Sequence, residues 1–514
     1  MSAKPQKYVI VPDDNVFNDG MDTSSFRLFR NMHSRLFKKS GVSALGTSIA
    51  FGSDEGQQPP MRPPLRILNT DAGKIRLIDS IGMDEASLVS MTPDQAFVLQ
   101  RIYPGLRVRR ELRLYPLRLG QMNIILQKAK PSAFRSDKEL AMRCVDTKTG
   151  EPVPDAHVVI VLNSRRGFGI SDVKTDAEGW FHTPLPAGQD TIDAIICAPL
   201  AGYWSGMLED VVVAAEGVTE AIVPVVAVEA DFRDSLDRML KPATANDGKG
   251  VKVAIIDTGV DPAKGLNVTK GLNTTGTEPA DEWYDNGTGH GTHVAGIVGR
   301  VAPAAEIHAY RVFEKDDGGA SEFAIARAIR QAVEDGCDII NLSLGQSSEP
   351  ISISREVRRA RAMGVVCVAA TGNDYQSPVS YPARSATVVG VSAGGVLDSW
   401  PKGAATLKNI ATKPKPIKDY FFANFSNIGP EVDFIGPGVG IISWVSAKSK
   451  GVMDGTSMAS PAVAGLVARL LSQNPDILSA ERNQQRSDDI IRMANERATP
   501  IGFGKEYEGA GLIG

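Results

Sequence analysis

The sequence predicts an α/β chain: a mostly parallel sheet with helices on both faces, preceded by a small α+β domain and a β-sandwich-like domain. Three observations carry this. From Val251 onward, short apolar strands alternate with amphipathic helices, the order that builds a parallel sheet covered on both sides. Between about 137 and 230, β-branched runs are separated by closely spaced turn signals, the texture of a sandwich. Upstream, one well-marked helix start stands between strand-like stretches. A chain of 514 residues exceeds what one core fills. The expected division is 1–130 for the α+β region, 137–230 for the sandwich, 231–248 as linker and 249–514 for the parallel sheet.

In chain order, Gly52 to Pro64 is rich in Gly, Gln and Pro and reads as loop. Lys74 to Ile78 reads as a strand. Thr92-Pro93-Asp94-Gln95 is a helix start, with Thr92 as N-cap, Pro93 in the first turn and Gln95 completing a capping box. That helix should stop at Pro104-Gly105, and Leu106 to Leu117 alternates as a half-buried strand does. His157 to Leu162 and Ala221 to Val228 are sandwich strands, with turns at Thr147–Gly150 and Asp176–Gly179. Ala243 to Gly250 reads as a linker. The last region is expected to hold strands at Val251–Ile256, Ile307–Phe313, Asp338–Leu344 and Val365–Ala370, and helices at Ser321–Asp335, Ile353–Met363 and Ala459–Leu471.

Composition excludes several function classes. With 56 basic and 60 acidic residues the net charge is −4, which provides no field for nucleic acid or anionic lipid. Four scattered cysteines form neither a disulfide framework nor a zinc site, and are expected to be free buried thiols. No run approaches the roughly 18 apolar residues of a membrane span, and Met1 to Pro12 lacks a signal-peptide core. Cytoplasmic location, no cofactor, no nucleic acid and no membrane partner are therefore expected.

Three segments carry chemistry. Asp257 follows the strand Val253–Ile256, in the place beyond a parallel strand's carboxyl end where sites form. His290 stands between Gly289 and Gly291 at a helix start. Ser457 heads a helix of small residues, where unpaired N–H groups suit a developing oxyanion. Alone, each reads as well as a turn aspartate, a turn histidine or a capping serine. Together, Asp257-Thr258-Gly259, His290-Gly291-Thr292-His293 and Gly455-Thr456-Ser457-Met458-Ala459-Ser460-Pro461 resemble the three signature blocks of the subtilisin-like serine peptidases, in that family's chain order.

The resemblance spans about 249–514 and implies a serine endopeptidase acting on protein or peptide substrates. Ser457 would be the nucleophile, His290 its base and Asp257 the group orienting the imidazole. Ala369-Ala370-Thr371-Gly372-Asn373 resembles the segment bearing the oxyanion asparagine, making Asn373 one donor and the Ser457 N–H the other. Ser343, Leu344 and Gly345 resemble the edge strand that pairs with an extended substrate, and Ala370 and Gly372 would line the same cleft. Tyr381 to Arg384 resembles the segment beside the main specificity pocket, with Arg384 facing either pocket or solvent. The rival function is a peptide-docking scaffold that has lost catalysis.

Three departures from the family stand out. Arg300 to Ala305 replaces the family's calcium loop after the His290 helix, so no metal is expected there. Leu397 to Tyr420 is an insertion, either a surface loop or a docking element. Residues 65–118 resemble the family's inhibitory prodomain, and 137–230 resembles carboxypeptidase-regulatory or transthyretin-like sandwiches. The chain's own N-terminal domains are thus the expected inhibitor, with activating cleavage in Ala243–Gly250.

Overall fold

The computed structural model describes residues 4–12, 66–70, 72–81, 86–103, 105–117, 127–128, 134, 137–164, 168–315 and 319–514. The loop expected at Gly52–Pro64 lies outside them. Strands β1 (Gln6–Pro12), β2 (Arg66–Thr70), β3 (Gly73–Ile81), β4 (Ala86–Met91) and β5 (Leu106–Arg110) form an antiparallel sheet in the order β2-β3-β4-β1-β5. Helix α1 (Pro93–Ile102) carries the expected capping box: Thr92 Oγ1 accepts from Gln95 N, and Gln95 Oε1 accepts from Thr92 N. α1 covers one sheet face through Leu99, Val89 and Val108. The other face, Val9, Val11 and Leu88, joins the core of the parallel-sheet region. Burial on both faces explains why these strands show so little alternation in sequence.

Next come β6 (Arg113–Pro116) and β7 (Gln127–Lys128), then the sandwich strands β8 (Glu139–Asp146), β9 (His157–Asn163), β10 (Phe168–Lys174), β11 (Trp180–Pro184), β12 (Thr191–Ala198), β13 (Tyr203–Trp204), β14 (Gly206–Val212) and β15 (Val218–Ala227). They form two sheets, β14-β12-β9-β10-β7 and β11-β8-β15-β13. Leu140, Met142, Ile160, Ile195 and Val223 meet between them. β15 reads buried on alternate residues, as expected of a strand with one face in the core. All four cysteines are buried free thiols.

The stretch read as a linker, 231–248, is instead part of a core. Helix α2 (Ser235–Met239) buries Leu236 and Met239 with Leu240 in the large cluster of the parallel-sheet region. Beyond it, Asp247 pairs with Arg469 at 3.1 Å, and Gly248 N donates to Ser472 Oγ.

The parallel region follows as β16 (Lys252–Asp257), β17 (Val268–Asn273), α3 (His290–Val301), β18 (Glu306–Arg311), β19 (Ala320–Ser321), α4 (Glu322–Glu334), β20 (Ile339–Leu342), β21 (Leu344–Gly345), α5 (Ile351–Ala362), β22 (Val366–Ala370), β23 (Val388–Val396), β24 (Tyr420–Phe422), β25 (Phe434–Pro437), β26 (Ile441–Trp444), β27 (Lys450–Met453), α6 (Thr456–Ser472), α7 (Pro475–Leu478) and α8 (Gln484–Arg497). The main sheet runs β17-β18-β16-β20-β22-β23-β24, with β25 also on β23. Every pair is parallel except β23 with β24. Apolar clusters lie on both faces, so the strands read as near-continuous apolar runs. Among the described residues no helix is long and apolar enough to cross a membrane.

The insertion 397–420 is a docking element. Ala405 N donates to Ser205 O, Ala404 bridges Gly206, and Lys408 pairs with Glu209 at 2.8 Å. All three contacts join it to the sandwich.

Candidate active site

Asp257 ends β16 and His290 begins α3. Their approach depends on Gly289, whose φ of 71° lies in the left-handed region and over which Val445 is packed too closely for a Cβ. His290 Nδ1 lies 2.7 Å from Asp257 Oδ1, with both side chains buried. An ionised carboxylate only accepts, so Nδ1 carries the proton and Nε2 is left as the basic nitrogen. Nε2 is buried without a hydrogen-bond partner. Thr258 Oγ1 accepts from Gly291 N and donates to Asp285 Oδ2, each at 2.8 Å, which ties the strand end to the helix start. Asp285 also accepts from Gly287 N and Gly289 N, and burial holds its carboxyl above the ordinary range.

His293 belongs to the same motif but to a different task. Its Nε2 is 3.0 Å from Ile441 O, and burial pushes its pKa down to about 3, so it stays neutral and fastens the helix to β26.

Ser457 is in the first turn of α6. Its Oγ donates to Ser343 O at 3.0 Å rather than to His290. Asn373 is oriented by its neighbours: Oδ1 accepts from Thr456 N and Thr456 Oγ1, which turns Nδ2 toward the cleft. Nδ2 and Ser457 N converge on one oxygen, the Leu117 carbonyl, at 2.6 and 3.1 Å.

That oxygen comes from the chain's own N-terminal region. β6 lies between β19 and β21 as the middle of three antiparallel strands. Gly345 pairs with Tyr115 and Leu344 with Pro116, while Leu117 N donates to Ser343 O at 3.1 Å. Leu114 is wholly buried opposite Ala320, in the apolar cluster that also holds Phe323, Leu344 and Ile351. The Leu117 side chain lies against Gly345. Ala370 ends β22, and Gly372 begins the turn to Asn373. Arg384 turns toward Glu431 and is half exposed.

Of the nine residues singled out from the sequence, Asp257 and His290 are hydrogen-bonded to each other, Ser457, Asn373, Ser343 and Gly345 meet around Leu117, Leu344 pairs with Pro116, and Ala370 and Gly372 lie on the strand and turn that lead to Asn373. The sequence reading did not find Asp285, Thr456, Leu114 or Leu117. For the leucines a signal was present: Leu106–Leu117 was expected to be a strand, and the prodomain-like stretch to end at 118. Ala243–Gly250 is packed onto the end of α6 and the turn before β18, with Ala304 N donating to Asp247 O.

The subtilase family profile matches residues 248–504. The chain belongs to the subtilase family. Subtilisin BL of Lederbergia lenta is 33% identical over 290 residues, 54% of this chain and 95% of that protein. M-protease of Shouchella clausii is 34% identical over 290 residues, 54% of this chain and 67% of that protein. The crystal structure of a lanthipeptide protease aligns with 52% of this chain and 88% of its own, at 23% identity and a TM-score of 0.43. This subtilase is accordingly a serine-type endopeptidase. Neither the sandwich nor the β1–β5 sheet falls inside the matched region.

Proposed function

We propose that Asp257, His290 and Ser457 are the catalytic triad of this peptidase, that it cuts its own chain after Leu117, and that its N-terminal unit restrains it until β6 leaves the cleft. The observation that carries the reading is the Leu117 carbonyl oxygen between Ser457 N and Asn373 Nδ2, the position a scissile carbonyl takes in such a cradle. Ser457 Oγ leaves Ser343 O, turns to His290 Nε2 and attacks the carbonyl carbon as the imidazole takes its proton. Asp257 stabilises the imidazolium, and the two donors hold the oxyanion. His290 then gives its proton to the leaving amine. Water, activated by the same imidazole, hydrolyses the acyl-enzyme. After cleavage β6 still fills the cleft between β19 and β21, so the N-terminal unit persists as a bound product.

The test is the mass and first residue of the purified chain. Incubated wild-type protein is expected to yield a new N-terminus at Arg118, and a fluorophosphonate probe is expected to label Ser457. A wild-type chain that stays intact, or is cut first in Ala243–Gly250, refutes the assignment of the processed bond.

The grip of β6 carries a pH dependence. Glu322 is buried at the start of α4, where its carboxylate accepts from Leu112 N at 3.0 Å and Ser352 Oγ at 2.9 Å. Burial pushes this carboxyl up to about 7, and the charge of Glu111 acts in the same sense. Opening the cleft re-hydrates the group and returns it toward the ordinary range. A pKa higher in the closed form means that closing takes up a proton, so closure is favoured below about pH 7 and that contribution is lost as pH rises through 7. In a Ser457→Ala chain, amides of Leu112 to Leu117, corrected for intrinsic rates, should exchange on the order of tenfold faster at pH 8 than at pH 6. Glu322→Gln should abolish the difference. Equal protection at both pH values in the Ser457→Ala chain would rule the effect out.

A further inference from the structure

We infer that the β-sandwich is a working part of the peptidase, with Trp204 as a positioning residue that acts on His290 and Ser457 through the β26–β27 hairpin. The hairpin has four residue pairs, from Ile441 with Met453 to Trp444 with Lys450. Two isolated strands of this length are marginal in water and need support on their faces. Its last residue leads directly through Asp454, Gly455 and Thr456 to Ser457. Its first strand holds α3: Ile441 O meets His293 Nε2, Ser443 Oγ donates to His293 O at 2.8 Å, and Arg300 donates to Ile442 O at 2.6 Å. At the far end Val445 presses on Gly289, the residue before His290. The hairpin therefore touches the segments that carry two of the three triad groups.

Its other support comes from the sandwich. Trp204 is wholly buried, and its indole packs on Gly440, Ile442 and Ala404. Gly202 N donates to Lys450 O at 2.8 Å, and the Leu200 carbonyl rests against Gly451. The indole Nε1 has no hydrogen-bond partner, so Trp204 contributes shape and apolar contact rather than a polar link. Behind it Phe232 packs edge-on at 5.1 Å. Asp234, also buried, accepts from Ile442 N at 2.8 Å and from both terminal nitrogens of Arg300 at 2.7 and 3.0 Å. The segment joining sandwich to peptidase is thereby fastened to the same hairpin and the same helix. A cut after Leu117 leaves all of these contacts intact, whereas a cut in Ala243–Gly250 would sever the chain between sandwich and peptidase.

Truncating Trp204 leaves a cavity beside Ile442 into which the hairpin can shift, and a misplacement near 1 Å at reacting groups costs about 10² in rate. β6 and its partners β19 and β21 lie elsewhere, so substrate pairing should be spared. The experiment compares full-length wild type, Trp204→Ala and Trp204→Phe on a chromogenic peptide anilide. Rates are expressed per site titrated with a fluorophosphonate, which removes any difference in how far β6 has left the cleft. Trp204→Ala is expected to lose about tenfold or more in kcat with KM within about twofold, and to shift the pH of half-maximal kcat. Trp204→Phe, which keeps most of the apolar contact, should stay within about threefold of wild type. Should Trp204→Ala fail to fold, Trp204→Leu takes its place with the same expected split. An unchanged kcat per site, or a change confined to KM, overturns the inference. A wild type that takes no label at all would instead strike at the triad.

Discussion

Ser457→Ala is expected to abolish both peptide hydrolysis and self-cleavage, leaving a chain of intact mass with no new N-terminus at Arg118. On the proposed mechanism, removing the hydroxyl removes the atom that would form the acyl-enzyme. Asn341, Ser343 and Ser460 are linked to one another by hydrogen bonds, but the Ser343 and Ser460 hydroxyls already donate to Ser457 O and Asn341 Oδ1. In subtilisin, loss of the nucleophile or of its histidine lowers kcat by about 2 × 10⁶, and losing both is no worse. Ser457→Ala, His290→Ala and the double substitution should therefore fall together at about that level. Asn373→Ala in the same assay should cost about 10² to 10³, the range known for an oxyanion donor in subtilisin. It removes one of two donors while Ser457 N remains. Single-turnover hydrolysis of a peptide anilide checks the series. A Ser457→Ala chain that still generates the Arg118 terminus without added protease would remove the serine from the reaction.

How much of this was legible beforehand depends on the length scale of the signal. The parallel sheet was readable because burial on both faces writes long apolar strands, as in Val253–Ile256 and Val366–Ala370. The family was readable because Asp257, His290 and Ser457 each stand in an extended motif, and the three motifs occur in one chain order. Other features left no local trace. β1 and β4 are buried on both faces only because α4 and α5 cover one of them, and those helices lie more than 200 residues downstream. α2 is one turn long, and its Leu236 and Met239 acquire meaning only against the large core. Trp204 read as one aromatic in a β-rich stretch, since its partners Ala404 and Ile442 sit on an insertion and a hairpin some 200 residues away. Activating cleavage was placed in Ala243–Gly250 for a related reason. Composition marks Ala243–Gly250 as polar and small, yet the Asp247–Arg469 pair fixes it, while the alternating β6 is the segment with an extended backbone free to be paired.

Leu114→Asp in the full-length chain is expected to raise peptidase activity by about tenfold or more over wild type. Leu114 is wholly buried, pairs with Ala320, and belongs to an apolar cluster that includes Phe323, Leu344 and Ile351. An aspartate there would be a charge among apolar groups with no partner, at an effective cost of several kcal/mol. The carboxylate escapes that cost only if β6 leaves. Withdrawal breaks the pairings of Leu114 with Ala320 and of Gly345 with Tyr115, and frees the donors that now hold Leu117 O. A merely smaller residue should do less, because the tether keeps the strand at high effective concentration and rebinding is intramolecular. Tyr115 supplies the control: it lies on the same strand but points outward at 53% exposure, so Tyr115→Asp should leave activity near wild type. Initial rates on a peptide anilide, measured on freshly purified full-length proteins, decide the matter. If Leu114→Asp is no faster than wild type while both take the fluorophosphonate equally well, β6 does not restrain the enzyme.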